Sequence, residues 1–310
     1  MPSPSPTPLL AILGPTASGK SALALALAER LGGEIVACDS QQVYVGLDVG
    51  TAKPTPEERR RIPHHAIDLV PPDETFQAAR WAAVARAAIA DIARRGRMPI
   101  VVGGTGLYYR ALVSGLFEAP APDSEIRARH RAEADRDGVE ALHARLAVVD
   151  PEAAAAVMPR DFVRTSRALE VFEQTGVPIT RLRRQAAHPA DLHPTVLLLD
   201  PPLDELRIRI AARVDEMMAA GFLDEVRDLR AKGYGAAKPL EALGYAQLGA
   251  ALDGKLALAD AVAETVRATN DYARRQRTWF RKHPAASRFE RLPDLEAAAD
   301  VARAAAPEAR

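Results

Sequence analysis

The eight residues GPTASGKS, numbers 14–21, lie between a short apolar run and an alanine- and leucine-rich stretch. The apolar run at residues 9–13 has the length of a buried strand, and residues 22–31 have the spacing of a helix. Glycine-rich loops that end in lysine and serine at such a strand-to-helix junction bind phosphate groups. This feature predicts an α/β fold with an anion site at the start of its first helix.

The residue types in this loop suit an anion. Glycines let backbone N–H groups wrap a phosphate, and the helix beginning near Lys20 points its positive dipole end at the ligand. Lys20 is expected to bind diphosphate oxygens and Ser21 to hold Mg²⁺. A glycine turn without a ligand is the alternative, but it would leave the positive charge of a lysine at the positive end of the helix dipole, which is unfavourable without an anion. The predicted diphosphate site is Gly14, Pro15, Thr16, Ala17, Ser18, Gly19, Lys20 and Ser21.

Further strands and helices alternate along the chain. Apolar runs at residues 34–37 and 99–102 read as strands, a helix spans about 76–95, and residues 195–200 return to the sheet. Helices are expected from there to the end of the chain. Alternation of this kind predicts a P-loop NTPase-like, doubly wound parallel sheet.

The stretch between these last two strands reads as helices alone, with breaks at Gly138, Pro151, Pro159, Gly176 and Pro178. It predicts an all-helical insertion domain at residues 119–194. The catalytic core is expected at 9–118 and 195–310, after a disordered leader at 1–8.

Composition excludes several classes of protein. Lysine plus arginine and aspartate plus glutamate both number 41, so no overall cationic field announces a nucleic-acid partner. The single cysteine, Cys38, rules out an internal disulfide framework, and adjacent His64 and His65 read as a solvated loop rather than a zinc site. With no signal sequence and no apolar run long enough for a membrane span, we expect a cytoplasmic enzyme.

Positive charge is nevertheless concentrated locally, at residues 160–184 and 267–282. The second segment interleaves Tyr272, Trp279 and Phe280 with arginines, which can stack on bases and pair with phosphates. A solvated helix face with core aromatics is the alternative interpretation.

Two side chains follow predicted strands at the sheet edge where ligands bind. Asp39 is a candidate general base, although capping a helix or holding a metal-bound water fits its position equally well. Thr105 follows the third strand within a glycine-rich segment, and spacing alone favours a glycine turn with core tyrosines over a functional role. No clear Mg²⁺-binding aspartate follows an apolar run, although Asp68 and Asp200 are candidates, so a motor or hydrolase is disfavoured.

Several separated motifs together resemble the bacterial tRNA dimethylallyltransferase family over about residues 9–282. They are GPTASGKS, DSQQVYVGLDVGTAKP from Asp39, HHAIDL from His64, GGTGLYYRAL from Gly103, RALEVFEQTG from Arg167, RIAARVDEMMAAGFLDEV from Arg209, ALGY from Ala242, and YARRQRTWFRK from Tyr272. The order of the motifs matches as well, which a phosphate loop alone does not provide.

The resemblance implies that Asp39 takes the proton of an adenine N6 while that amine attacks the allylic carbon of dimethylallyl diphosphate. Thr105 and Arg213 join Asp39 as catalytic residues, and Arg209 reaches the diphosphate with Arg213. A surface salt bridge is the alternative for these two arginines. Mg²⁺ at Ser21 is the implied cofactor.

The resemblance also implies contact with the tRNA anticodon stem-loop, whose adenosine must be flipped to reach a buried carboxylate. The implied tRNA-binding residues are Asp39, Ser40, Gln41, Gln42, Thr105, Arg127, Val163, Arg164, Thr165, Ser166 and Arg167. Arg274 and Arg277, from the basic segment at residues 267–282, are further predicted tRNA contacts. Met158, Arg160 and Ala246 depart from the family pattern. A monomer is expected, and an adenylate isopentenyltransferase or a P-loop small-molecule kinase is the alternative function.

Overall fold

The computed structural model describes residues 7–116, 120–185, 191–285 and 287–304. The chain divides into two compact units, one of residues 1–113 with 189–310 and the other of residues 114–188. The second unit thus begins and ends a few residues before the insertion predicted at 119–194. Within the described ranges, no helix is both long and apolar enough to cross a membrane.

The first unit contains a six-stranded parallel sheet in the order β3-β2-β4-β1-β5-β6. The strands are β1 Thr7–Leu13, β2 Glu34–Cys38, β3 His64–His65, β4 Pro99–Gly103, β5 Leu192–Leu199 and β6 Ser287–Phe289. The predicted α/β class with a parallel sheet is confirmed. Because every strand runs the same way, the carboxyl ends of β1, β2 and β4 meet at one edge.

The helices follow the predicted alternation. They are α1 Lys20–Leu31, α2 Pro56–Arg61, α3 Ala78–Arg94, α4 Gly106–Ser114, α5 Ser124–Asp137, α6 Val139–Val149, α7 Pro151–Ala156, α8 Phe162–Thr175, α9 Ile179–Gln185, α10 Leu203–Ala219, α11 Phe222–Ala231, α12 Tyr245–Leu252, α13 Leu258–Phe280 and α14 Leu295–Ala304. Two 3₁₀ turns, Tyr234–Ala236 and Lys238–Glu241, join α11 to α12.

Helices cover both faces of the sheet. On one face, Leu10 of β1 and Ile100 of β4 pack with Leu27 of α1 and Ala298 of α14. On the other face α3 contacts β1, β2 and β4, and the Trp81 indole N–H donates to the Ala37 carbonyl at 3.1 Å. Strands buried on both faces are continuous apolar runs, which explains why β1, β2 and β4 show no alternation.

The second unit is helical, from α5 to α9, with a core that includes Leu142, Leu146 and Leu169. The predicted breaks coincide with its helix boundaries. Gly138 and Gly176 end α5 and α8 with φ values of 87° and 69°, which glycine adopts without a steric penalty. Pro151 is the first residue of α7.

Three expectations about strands are wrong. β1 begins at Thr7, inside the predicted leader, because the Thr7 N–H donates to the Asp191 carbonyl at 2.7 Å. β5 likewise begins at Leu192 and not at residue 195, and prolines near both starts hid the pairing from a sequence pattern. Strand β6 interrupts the helices expected after residue 200, and its three residues are too few to show a period. Residues 1–6 of the predicted leader lie outside the described residues.

The two adjacent histidines form strand β3 and not the predicted loop. His65 Nε2 lies 2.7 Å from Glu34 Oε2, and the pair shares the buried start of β2 with Arg95. A strand of two residues is too short to show a sequence pattern, and its partners lie in separate parts of the chain, so the sequence alone did not predict it.

Candidate functional site

The loop Gly14–Ser21 turns between β1 and α1 with a left-handed backbone at Ala17 and Gly19, whose φ values are 60° and 91°. No side chain caps α1, so its first N–H groups are left for another acceptor. A Cβ added at Gly14 would lie 2.5 Å from the Leu199 carbonyl oxygen, so a larger residue would push β1 and β5 apart. The loop has the backbone features that the sequence predicts for an anion site.

A cavity of about 360 Å³ opens in the first unit beside this loop. Predicted site residues that line it are Thr16, Lys20, Ser21, Asp39, Ser40, Gln41, Gln42 and Arg213. Thr105, Arg209, Arg274 and Arg277 are not among its lining residues. The structure thus brings the phosphate-type loop, a carboxylate and a distant arginine to one cavity.

Asp39 follows β2 and is oriented by its own turn. Its Oδ1 accepts the backbone N–H of Gln41 at 2.8 Å and that of Gln42 at 3.4 Å. Because one oxygen is committed to the turn, the other is left for the cavity that the residue lines. Asp39 is therefore held in a fixed orientation, and it caps a turn and faces the cavity at once.

Thr105 supports this turn from the next strand. Its hydroxyl accepts the Ser40 N–H at 3.2 Å, and its own N–H donates to the Cys38 carbonyl at 3.3 Å. The hydroxyl also contacts the phenol of Tyr272, which lines the cavity. Thr105 is thus next to the cavity wall and fastens β4 to the segment that carries Asp39.

Lys20 and Arg213 are two of the cations that line the cavity. Desolvation and the Arg213 guanidinium lower the pKa of Lys20 to about 8, while Asp39 opposes that shift. Burial also lowers the pKa of Arg213, and in the described part of the chain this residue forms no salt bridge. Both cations are desolvated, and the charge of Arg213 lowers the pKa of Lys20, so an anion bound beside them would relieve their mutual repulsion.

Gln276 of α13 is a site residue that sequence reasoning missed. Its Oε1 accepts the Thr16 N–H at 2.8 Å, and its Nε2 donates to the Gly104 carbonyl at 2.9 Å. This buried amide therefore ties the loop after β1 to the loop after β4. A glutamine inside the otherwise basic motif YARRQRTWFRK is the one local signal for it.

The other predicted arginines of this unit are engaged elsewhere. Arg209 pairs with Glu205 of its own helix, α10, at 3.1 Å. Arg274 pairs with Asp271 of its own helix, α13, at 3.5 Å, and both pairs are partly exposed. Arg277 is buried, and its Nε donates to Asp200 Oδ1 at 2.5 Å. These placements lend no support to diphosphate or tRNA contact by these residues.

The two candidate Mg²⁺-binding aspartates are both in salt bridges. Asp200 pairs with Arg277, and also with Arg281 and Arg288 at 3.2 and 3.3 Å. Asp68 pairs with Lys53 and Arg59, both at 2.7 Å. Neither carboxylate is left for a metal.

Thr16 and Ser21, which carry hydroxyl groups, line the cavity beside the loop. No group of three or more acidic, histidine or cysteine side chains among the described residues is arranged to hold a metal ion. A Mg²⁺ ion that keeps most of its ligands as water and substrate oxygens fits such a site.

In the second unit, the predicted tRNA-binding residues differ in exposure. Arg127 and Arg167 both donate to Glu170, whose side chain is fully buried, at 3.0 and 2.6 Å. Thr165 and Ser166 are buried in the helical core. Val163 and Arg164 project outward, with 73% of Val163 exposed.

Comparison with known proteins accounts for this combination of features. The family model for IPP transferases matches residues 42–283, and a model for isopentenyl transferases matches residues 7–65. The chain belongs to the IPP transferase family. A tRNA dimethylallyltransferase of Anaeromyxobacter dehalogenans (strain 2CP-C) is 56% identical over 274 residues, which are 88% of this chain and 92% of that protein.

Solved structures of the IPP transferase family share this fold. The full-length tRNA isopentenylpyrophosphate transferase of Bacillus halodurans superimposes with a TM-score of 0.69 and 37% identity, covering 96% of this chain and 95% of that one. A eukaryotic dimethylallyltransferase captured acting on tRNA gives a TM-score of 0.70 at 28% identity, over 88% of this chain and 70% of that one.

Three positions depart from the usual IPP transferase pattern and lie at the surface. Met158 is 74% exposed, and Arg160 pairs with Glu140 at 2.6 Å. Ala246 is exposed on α12. None of the three lines the cavity beside Asp39.

Proposed function

We propose that this chain transfers the dimethylallyl group of dimethylallyl diphosphate to N6 of the adenosine on the 3′ side of the tRNA anticodon, position 37. One observation carries the proposal: Asp39, the loop residues Thr16, Lys20 and Ser21, and Arg213 all line one cavity. The names of the relatives, which are tRNA dimethylallyltransferases, support the same activity.

The anion end of the cavity suits a diphosphate leaving group. The uncapped N–H groups at the start of α1 and the Lys20 and Arg213 side chains offer donors to its oxygens. The Ser21 hydroxyl would hold Mg²⁺, which supplies further positive charge to the diphosphate when bound. On this basis we propose that the sheet is of the P-loop NTPase-like class.

The α10 face beside the cavity suits an isoprenoid chain. Ile210, Val214 and Met217 line the cavity around Arg213, at the spacing that puts all four on one side of a helix. A ligand with a charged head and a five-carbon apolar tail matches a guanidinium flanked by apolar side chains.

In the proposed reaction, the adenine N6 lone pair forms a bond to C1 of the dimethylallyl group. The C1–oxygen bond breaks at the same carbon, and its electron pair leaves with the diphosphate. The free oxygen of Asp39 accepts the N6 proton. Because an exocyclic adenine amine is a poor nucleophile, the barrier falls most through stabilisation of the allylic cation-like state and of the departing charge.

We further propose that the helical unit binds the anticodon stem-loop through outward-facing residues at the start of α8, Val163 and Arg164. Thr165 and Ser166 are too buried to present their side chains to RNA. We propose that Arg127 and Arg167, which are partly exposed and pair with Glu170, contribute the remaining contacts. We also propose that the protein acts in the cytoplasm, as expected for an enzyme that modifies tRNA, and that it is a monomer.

Purified protein should be incubated with Mg²⁺, dimethylallyl diphosphate and unmodified tRNA whose anticodon is followed by adenosines. The expected product is N6-dimethylallyladenosine, identified by mass after nuclease digestion. Parallel reactions replace the tRNA with AMP or the prenyl donor with ATP. Prenylated AMP without prenylated tRNA, or phosphoryl transfer without a prenyl product, would overturn the proposal.

A further inference from the structure

We infer that Glu225 of α11 is a positioning residue for the proposed transfer, on which this inference rests. Its carboxylate holds the segment of residues 48–52, here named the strap, and the strap in turn holds the turn that orients Asp39. Glu225 acts through these neighbours and does not itself line the cavity.

The Glu225 carboxylate accepts four hydrogen bonds. Oε2 accepts the N–H groups of Asp48 and Val49 at 2.9 and 2.6 Å, and Oε1 accepts the Gly50 N–H at 3.1 Å. The Tyr245 hydroxyl also donates to Oε1, at 2.6 Å. Three successive backbone donors on one carboxylate fix the path of the strap, since charge-assisted bonds are the strong ones.

Packing holds the strap to the same elements. A Cβ added at Gly50 would lie 2.1 Å from the Phe222 ring and 2.7 Å from the Tyr245 ring. These rings meet edge to face with centroids 4.9 Å apart, and both line the cavity. The strap therefore lies flat on an aromatic pair, and Gly50, Thr51 and Ala52 form part of the cavity wall.

A direct chain of contacts connects the strap to Asp39. The Gln42 side-chain amide donates to the Thr51 and Ala52 carbonyls at 3.1 and 3.3 Å. The backbone N–H of the same glutamine donates to Asp39 Oδ1. Displacement of the strap is thus transmitted through Gln42 to the carboxylate proposed to accept the N6 proton.

The hydrogen bonds of Lys53, which also hold the strap, do not replace those of Glu225. Lys53 Nζ donates to Asp48 Oδ1 and Asp68 Oδ1, and so connects the first residue of the strap to the segment that follows β3. The N–H groups at its centre have Glu225 as their acceptor. An amide at position 225 keeps the volume but turns one acceptor oxygen into a donor, which would face one or more of those N–H groups.

The test is Glu225→Gln, assayed for prenyl transfer to tRNA both in the steady state and in single turnover. We expect a fall in kcat on the order of tenfold with the KM for dimethylallyl diphosphate changed less than threefold, because a misplaced base slows chemistry more than donor binding. Tyr245→Phe, which removes one bond to the carboxylate and leaves the strap bonds, should have the smaller effect.

A double substitution separates positioning from a general loss of structure. In an Asp39→Ala background, Glu225→Gln should cause no further fall in kcat, because the group that it positions is gone. An equal fall in both backgrounds would overturn the inference, as would a kcat for Glu225→Gln within twofold of the unsubstituted protein. If the unsubstituted protein itself made no prenylated adenosine, the proposed function would fail instead.

Discussion

One oxygen of Asp39 is committed to the backbone of its own turn, and so the side chain can change chemically without changing its position. Asp39→Asn keeps the acceptor for the Gln41 N–H and loses the basic oxygen. We expect kcat to fall by about a hundredfold or more while the affinity for the prenyl donor and for tRNA changes little.

Single-turnover formation of the prenylated nucleoside, with separate binding titrations, measures both quantities. Asp204→Asn, an exposed carboxylate of α10, is the matched control and should retain full activity. Equal losses of turnover and tRNA affinity would make Asp39 a binding residue.

The lowered pKa of Lys20, about 8, predicts how donor binding depends on pH. The amine is charged below that pKa and loses its charge above it, so affinity for the diphosphate should fall as pH rises through about 8. In the limit the fall is about tenfold per pH unit. Lys20→Met should bind weakly and without this dependence, and any slope that its profile retains over the same range measures titration of the donor. A wild-type profile as flat as that of the variant would contradict a role for this amine.

Residues whose partners lie nearby in sequence could be predicted, and those with distant partners could not. GPTASGKS identified Lys20 and Ser21 because the whole loop is local. Gln276 was missed because it joins Thr16 and Gly104, respectively 260 and 172 residues away. The partner of Arg277 could not be predicted for the same reason, since Asp200 is 77 residues away.

At the scale of elements, the site depends on a close approach of β2 and β4 at their carboxyl ends. A Cβ added at Gly103 would lie 2.0 Å from the Cys38 carbonyl oxygen, one residue before Asp39. Gly103→Ala should therefore lower the free energy of unfolding by about 1–3 kcal/mol and also reduce kcat.

Denaturant titration measures the stability change. Gly235→Ala is the control, because its nearest neighbour would be 3.7 Å from the new Cβ, and we expect a change within about 0.5 kcal/mol. Equal free energies of unfolding for the two variants would contradict the prediction, because they would show that β2 and β4 can move apart without loss of stability.

Helix α8 offers a second prediction, because its arginines differ in their surroundings. The Arg164 side chain is 69% exposed, whereas Arg167 lies against buried Glu170. Arg164→Ala should weaken tRNA binding and reduce the salt slope of log K by about 1, without loss of thermal stability. Arg167→Ala should also lower the melting temperature, since Glu170 loses a partner. Arg136→Ala, exposed at the end of α5, is the control, and a salt slope unchanged by Arg164→Ala would remove that residue from the interface.

The sequence identified the long elements well and the short ones poorly. Apolar runs and helical periods located β1, β2, β4 and the helices of the second unit, because each carries its own pattern. β3 and β6 have two and three residues, and their pairing with β2 and β5 depends on tertiary contacts alone. The order of strands follows from those contacts and not from any local period.

At the scale of the whole molecule, Glu34 makes the free energy of unfolding depend on pH in the acid range. It joins the start of β2 to Arg95, which follows α3, and to His65 of β3. Hydrogen bonding to Arg95, and next to His65, lowers the pKa of Glu34 to about 2, from an ordinary value near 4.5. A carboxyl whose pKa is lowered on folding stabilises the protein above its unfolded-state pKa, and this stabilisation is lost as pH falls from about 4.5 to 2.

We therefore expect the unfolding free energy to fall by roughly 1–3 kcal/mol across that window through this group. Chemical denaturation at a series of pH values gives the curve. Glu34→Gln should be less stable at pH 7 and should lose less stability on acidification. Parallel curves for the two proteins would assign the acid sensitivity to other carboxyls.

The pairing of β1 with β5 has a consequence for how the chain folds. Thr7 is in register with Leu192, so the centre of the sheet joins segments separated by roughly 185 residues. Contacts of such long range close late and slowly, whereas the helical unit between them relies on local ones. During synthesis, β1 must therefore wait with one edge unsatisfied until β5 emerges from the ribosome, and over that interval the nascent chain is most exposed to aggregation.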